Sequence, residues 1–347
     1  MAKAPRLLAG RVVVVTGGAR GIGRATAAAL IAQGARVAIG DLDASLAAQA
    51  ACELGGGTLG LVLDVTERSS FAAFLDEVER RLGPLDVLVN NAGIMPVGPF
   101  VEETDATAQR LVDVNLHGVI IGSKLAIERF QRRGGGHLVN IASVAGNGGF
   151  PGGATYCATK HAVVGLSEAI RAELRGTAID VSIVMPVVVN TELGSGLHRT
   201  RGIPLVQPDD VARAIVDALQ TGRVDVYVPR PVALLFRAIP VVPRWFSDFV
   251  VRALKGDQVL VNPDHMARDA YQRRLADRPG AADAQTVPCA ADGPKGDAEA
   301  TATPEATATP EATAASEATA TPEATAAPEA TAASEATATP ESANQPA

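Results

Sequence analysis

Thr16-Gly17-Gly18-Ala19-Arg20-Gly21-Ile22-Gly23 is the stretch from which the fold is read. It follows Arg11-Val12-Val13-Val14-Val15 without a break. A β-branched run with no polar alternation is expected of a strand covered on both faces of a parallel sheet. A helical pattern, Arg24 to Gln33, comes after the glycines. Strand, glycine turn and helix in that order make a seat for a pyrophosphate. The glycines let the backbone come close, and the first N–H groups of the helix point at the anion. The spacing is Gly-x-x-x-Gly-x-Gly, carried by Gly17, Gly21 and Gly23, not the Gly-x-Gly-x-x-Gly of most dinucleotide folds.

Working outward, Arg36 to Gly40 reads as a second strand and ends in Asp41. A carboxylate about 20 residues after the glycines suits a ribose 2′-hydroxyl and repels a 2′-phosphate. Arg20 argues the other way, but like-charge repulsion beside a phosphate outweighs what a flexible arginine returns. Asp41 has a second reading as the cap of a helix from Ala44, a role equally open to Asp43. A third strand, Thr58 to Leu63, ends in Asp64-Val65; a helix, Glu67 to Leu82, follows. A fourth strand, Leu85 to Val89, runs into Asn90-Asn91-Ala92-Gly93, which read alone is a turn. Thr104 to Arg132 reads as one long helix with Asn115 inside it, where asparagine is neutral to unfavourable. His137 to Ile141 is a fifth strand leading to Ser143, and the glycines and Pro151 of Asn147 to Gly153 form a loop able to fold Ser143 back. A helix from Ala154 to Arg175, a strand from Asp180 to Val184, a helix from Pro208 to Gln220 and a strand from Asp225 to Val228 complete the alternation. Strands alternating with helices predict an α/β fold.

Tyr156 and Lys160 stand four apart in the helix from Ala154, which puts both on one face. An ammonium beside a phenol favours the phenolate, so Tyr156 is a candidate acid/base whose pKa falls from about 10 toward working pH. On its own such a pair is common on surface helices.

Taken in order, the glycine turn, Asn-Asn-Ala-Gly, Asn115, Ser143 and the Tyr156–Lys160 pair resemble the short-chain dehydrogenase/reductase family from about Arg11 to Val228. The resemblance implies a doubly wound Rossmann-type three-layer sandwich with a seven-stranded, mostly parallel sheet. It implies hydride transfer between a nicotinamide cofactor and a secondary alcohol or ketone, with Asn115, Ser143, Tyr156 and Lys160 as the catalytic set. Tyr156 exchanges the proton, Ser143 hydrogen-bonds the substrate oxygen, Lys160 lowers the Tyr156 pKa and holds the nicotinamide ribose, and Asn115 anchors a proton relay at a helix kink. Gly17, Arg20, Gly21, Ile22, Gly23, Asp41, Asp64, Val65, Asn91, Ala92, Gly93, Pro186 and Thr191, with Tyr156 and Lys160, are the implied cofactor contacts, Asp64-Val65 at the adenine. NAD is expected rather than NADP. Homodimers or homotetramers through the two long helices are implied as well. No metal is expected. One departure stands out: the family has Pro-Gly after the sixth strand, and this chain has Pro186-Val187, which bears on how the nicotinamide carboxamide is placed. Cys157 and His161 are given no catalytic part.

Beyond Val228 the resemblance gives little. Glu192 to Gln207 is a polar, glycine-containing stretch similar to the family's substrate loop. Residues 229–276 read as an apolar and amphipathic extension packed on the 1–228 unit. In it, Pro243 to Leu254 forms a short helix with Trp245, Phe246, Phe249, Val250 and Leu254 on one side. That stripe is read as core, as a lid over an apolar pocket, or as contact with a membrane surface or partner through 229–254. A large apolar substrate, of steroid, retinoid or long-chain type, follows from the lid reading. The competing function is a non-catalytic nucleotide-binding scaffold or a membrane-associated interaction protein.

From Glu299 to Pro340 the unit Glu-Ala-Thr-Ala-(Thr/Ala)-(Pro/Ser) recurs seven times. It has nothing large to bury, so residues 277–347 read as a disordered tail. The eight glutamates from Glu299 to Glu341 carry the net charge of −7 and leave residues 1–298 near +1. A nearly neutral body gives no electrostatic case for nucleic acid. Cys52, Cys157 and Cys289 form no metal or redox spacing, and no signal peptide or membrane-length apolar run is present. The expectation is a reduced, cytoplasmic protein, with peripheral membrane contact as the variant.

Overall fold

The computed structural model describes residues 5–197 and 205–238, and beyond them residues 243, 245, 249, 252, 253, 259–261 and 263–276. The expected tail from Asp277 and most of the expected helix Pro243 to Leu254 lie outside these residues.

Seven strands, β1 (Val12–Thr16), β2 (Arg36–Asp41), β3 (Leu59–Val62), β4 (Val87–Asn90), β5 (Gly136–Ile141), β6 (Ile179–Pro186) and β7 (Asp225–Val228), form one sheet in the order β3-β2-β1-β4-β5-β6-β7. Every neighbouring pair is parallel. The helices are α1 (Gly21–Ala32), α2 (Ala44–Leu54), α3 (Arg68–Leu82), α4 (Asp105–Val112), α5 (Gly118–Arg133), α6 (Ala154–Glu173), α7 (Pro208–Thr221), α8 (Val232–Ala238) and α9 (His265–Ala276). The valine run of β1 shows why both faces are covered. Val13 and Val15 pack with Leu30 of α1 and Ile215 of α7, while Val12 and Val14 pack with Phe71 of α3 and Leu125 of α5. Each fully buried aliphatic or aromatic side chain stabilises by about 1.5–3 kcal/mol. The sheet grows outward from β1 to β3, then returns to place β4 on the other side of β1. This reversal leaves a crevice over the carboxyl ends of β1 and β4.

The long helix expected over Thr104 to Arg132 is interrupted. Asp113–His117 is a π-helical turn between α4 and α5. Asn115 causes it by turning inward: its Oδ1 accepts the Ile94 N–H at 2.8 Å, and its Nδ2 donates to the Ile94 carbonyl at 2.9 Å and to Thr159 Oγ1 at 3.3 Å. Single π-turns commonly mark functional positions.

The extension meets the core at several points. Val232 and Phe236 of α8 pack beside Met185 and Tyr227, and Val259, Leu260, Arg268 and Tyr271 are buried. Trp245 and Phe249, of the stripe read as core, as lid or as contact with a membrane surface or partner, are exposed, at 71% and 65%. Cys157 is free and buried. Among the described residues no helix is long and apolar enough to cross a membrane.

Candidate active site

The crevice at the β1/β4 reversal is fastened by short side chains. Thr16 Oγ1 accepts the N–H groups of Asn91 and Ala92, both at 3.0 Å. Asn91 Nδ2 donates to the carbonyls of Thr16 at 2.8 Å and Gly17 at 3.1 Å. A Cβ on Gly23 would lie 2.3 Å from the Gly17 carbonyl oxygen and 2.7 Å from Asn91 Nδ2, so the turn closes only with glycine there. Ile22 directs its side chain into the core under the turn. The first turn of α1 has no capping side chain and no acid, which leaves its N–H groups and positive dipole end for an anion. Thr191 reaches the turn from the segment after β6; its Cγ2 is 3.3 Å from where a Gly21 Cβ would be.

Asp41 ends β2 beside this turn. Its oxygens accept the N–H groups of Ala19 and Asp43, both at 3.4 Å. Burial raises its pKa above the usual carboxylate value, opposed by the Asp43 N–H and by Arg20. The helix-cap role falls to Asp43, which accepts the Leu46 N–H at 3.0 Å. Arg20 points at Asp43 (3.9 Å) and Glu192 (3.7 Å). Asp64 is turned onto its own loop, accepting from Thr66 N and Oγ1. Val65 packs against Gly118.

On the far side of the crevice, β5 delivers Ser143 and α6 delivers Tyr156 and Lys160. A buried chain of hydrogen bonds fixes α6 to the sheet: Asn90 Nδ2 donates to Asn140 Oδ1 (2.9 Å), and Asn140 Nδ2 donates to Ser167 Oγ (2.9 Å). Ser143 Oγ accepts the Ala145 N–H at 3.1 Å and donates to the Pro186 carbonyl at 3.4 Å. Lys160 Nζ donates to the Ile141 carbonyl at 2.9 Å and lies 5.8 Å over the Tyr156 ring. Gly93 sits between the two polar groups: a Cβ there would be 3.2 Å from Asn115 Oδ1 and 3.8 Å from Lys160 Nζ. Asn115, Ser143, Tyr156 and Lys160 therefore converge, as do Gly17, Gly21, Gly23, Asn91, Ala92 and Thr191.

The electrostatics differ from expectation. Burial pushes the Tyr156 phenol above its ordinary 10, and only its interaction with the Ser143 hydroxyl opposes it. The Lys160 ammonium faces the ring and the Ile141 carbonyl, and burial brings its own pKa down to about 8. At Pro186-Val187 the chain extends instead of turning: Val187 N–H donates to the Val228 carbonyl at 3.0 Å and its side chain packs on the core.

The wall over Tyr156 was not foreseen. Met95, Leu111, Ala145, Val259 and Leu260 pack with Tyr156 and Cys157. Tyr271 of α9 accepts the Met95 N–H on its hydroxyl at 2.8 Å. The one sequence signal was a tyrosine in a charge-rich helix, in a chain with three tyrosines.

Residues 11–202 match the family model described as short chain dehydrogenase. This chain is a short-chain dehydrogenase/reductase. As a member it is a nicotinamide-dependent oxidoreductase acting on CH–OH groups. It is 37% identical over 228 residues to 2-(S)-hydroxypropyl-CoM dehydrogenase 3 of Xanthobacter autotrophicus, covering 60% of this chain and 89% of that protein. It is 30% identical over 253 residues to 17-beta-hydroxysteroid dehydrogenase 13 of Rattus norvegicus, covering 71% and 83%. A short-chain dehydrogenase/reductase of Burkholderia phymatum, solved in complex with NAD, superposes with a TM-score of 0.62 at 26% identity, covering 67% of this chain and 93% of that one.

Proposed function

We propose that this dehydrogenase interconverts a secondary alcohol and its ketone with NAD(H), and that the substrate is largely apolar. The observation that carries the reading is the convergence of Ser143, Tyr156, Lys160 and Asn115 at the carboxyl end of β5, facing the glycine turn across the crevice.

The residues present fit a dinucleotide. The N–H groups of Gly21 to Gly23 would hold the pyrophosphate, Asp41 a ribose 2′-hydroxyl, and Asn91 to Gly93 the crevice floor. Lys160 would meet the second ribose, and Pro186 and Thr191 the carboxamide end. Asp64 and Val65 would serve the adenine. Bound there, the nicotinamide supplies or accepts the hydride.

Within the chain, the Tyr156 hydroxyl gives its proton to the substrate oxygen during reduction and takes it back during oxidation. Ser143 donates a hydrogen bond to the same oxygen as charge develops on it. With burial holding the phenol high, its deprotonation depends on bringing positive charge near its oxygen, and Lys160, held by Ile141 O, is the cation within reach. Asn115 is a positioning residue that fixes the Ile94 backbone and Thr159. The apolar lining around Tyr156, from Met95, Val259 and Leu260, favours an apolar alcohol. Asp41 favours NAD over NADP.

NADH formation measured against hydroxysteroids, retinol, long-chain secondary alcohols and small polar alcohols tests this, with Tyr156→Phe as the control. Turnover concentrated on the apolar alcohols and lost in the variant is expected. Measurable NADH binding with no turnover on any alcohol, with either NAD or NADP, would overturn it in favour of a nucleotide-binding scaffold.

A further inference from the structure

Arg268 of α9 is fully buried. Its Nη1 donates to the carbonyls of Leu193 (3.1 Å) and Ser195 (2.9 Å), and its Nη2 donates to the carbonyl of Met95 (2.7 Å). The guanidinium also stacks 5.1 Å over the Tyr271 ring, and Tyr271 in turn accepts the Met95 N–H. Among the described residues no carboxylate pairs with it, and its Nε has no partner. A charge so enclosed is costly unless it is well hydrogen-bonded. What holds this one is three carbonyls from two separate segments, a span that suits the planar fork of arginine and not the point charge of lysine.

Those two segments flank Tyr156. Met95 follows Asn-Asn-Ala-Gly on one side, and Leu193 to Leu197 follow Thr191 on the other; Met95, Leu193 and Leu197 share an apolar cluster with Tyr156. The backbone is shaped to receive α9. Gly196 has φ +68°, and a Cβ there would lie 2.5 Å from the Asp264 carbonyl oxygen and 3.0 Å from Arg268 Cγ. The Asp264 N–H donates to the Gly196 carbonyl at 2.8 Å. At Gly152 a Cβ would lie 2.4 Å from the Leu260 carbonyl oxygen. On the surface, Arg274 pairs through both terminal nitrogens with Glu192.

We propose that Arg268 sets the width of the substrate pocket. By tying the Met95 segment to the Leu193–Ser195 segment, it fixes how far apart the walls over Tyr156 stand and so which alcohols are accepted. It acts through backbone and is a positioning residue for specificity. The proposal rests on the dehydrogenase reading for its substrate, and on the hydrogen bonds alone for the clamp.

The test uses the full chain with Arg268→Met and Arg268→Lys. In each preparation kcat/KM is measured for a wide secondary alcohol, cyclododecanol, and a narrow one, 2-butanol. The ratio of the two does not depend on how much of the preparation is active. It should shift at least tenfold toward the wide alcohol in Arg268→Met and less in Arg268→Lys. A residue that only stabilises the fold would lower both constants in proportion, and an unchanged ratio overturns the proposal. Should Arg268→Met fail to fold, Gly196→Ala disturbs the same seat with the guanidinium retained, and its ratio must move in the same direction. Should the wild-type chain turn over no alcohol, the dehydrogenase reading falls first. Hydrogen exchange then decides the clamp: amides of residues 94–97 and 193–197 should exchange at least tenfold faster in Arg268→Met, with those of β1 to β5 unchanged. Unaltered exchange there overturns the clamp.

Discussion

On the glycine-turn side of Tyr156 the crevice is lined by backbone and by side chains such as Thr16 and Asn91, all set on the ends of buried strands. On the opposite side the wall is made of Met95, Leu193 and Leu260, braced by two long side chains, Arg268 and Tyr271, that arrive from beyond the last strand. At Gly23 the first wall refuses even one added carbon, because its spacing is set by the sheet and strand ends cannot part without breaking ladder hydrogen bonds. The second takes its spacing from side-chain reach. One can therefore serve a group that never varies, and the other can be retuned by single substitutions.

Four changes probe that division. Tyr156→Phe should cost about 10³-fold in kcat, within the ordinary range for losing a general acid/base. Nucleotide affinity, followed by NADH fluorescence, should stay within about twofold, since the ring remains. Gly23→Ala comes next: its Cβ would collide with the Gly17 carbonyl. Overpacking of this kind costs about 1–3 kcal/mol, to be read as a lowered Tm together with weakened NADH binding. If Gly23→Ala instead changed the ratio between wide and narrow alcohols and spared NADH, the two walls would not be separable.

Asp41→Ala should improve NADP relative to NAD by about tenfold, roughly 1.4 kcal/mol, with no change in alcohol preference. Matched Kd measurements for both nucleotides check it, and an unchanged ratio removes Asp41 from cofactor choice. The smallest effect on either wall should come from His137, at the opposite end of β5. Burial holds its pKa down to about 4 from 6.5, and its Nε2 meets Ser182 Oγ at 2.8 Å. The unfolded chain takes up this proton below pH 6.5 while the folded one does not, so stability is full above 6.5 and falls as pH drops toward 4. By pH 5 this amounts to about 2 kcal/mol. Urea unfolding at pH 7 and pH 5 should show a smaller difference in His137→Gln, with the kinetic ratio untouched. An undiminished difference would place the acid sensitivity elsewhere.

What could be read beforehand divides along the same line. Gly17, Gly21 and Gly23 were legible because they share one short strand–turn–helix stretch, and Asp41 because it ends the next strand, within reach of Ala19. Asn115 was legible as an oddity, and the π-turn at Asp113–His117 is its physical form. Arg268 and Tyr271 were not legible, since their partner Met95 lies 173 and 176 positions away. The aromatic stripe drew attention by composition, yet Trp245 and Phe249 are exposed, while Val259 and Leu260 are buried in the cluster around Tyr156. The direction of the Tyr156 pKa was missed for a related reason. Spacing shows that Lys160 is near, but not that the phenol is buried or that the ammonium faces the ring and a carbonyl.

The late position of Arg268 has a consequence for how the protein is made. A chain leaving the ribosome can complete its sheet once Val228 has emerged, and with it the glycine turn and its strand-end fastenings. The brace between Met95 and Leu193 must wait for α9. Made in that order, the protein would gain the turn proposed to hold nucleotide before the proposed alcohol pocket takes a defined width.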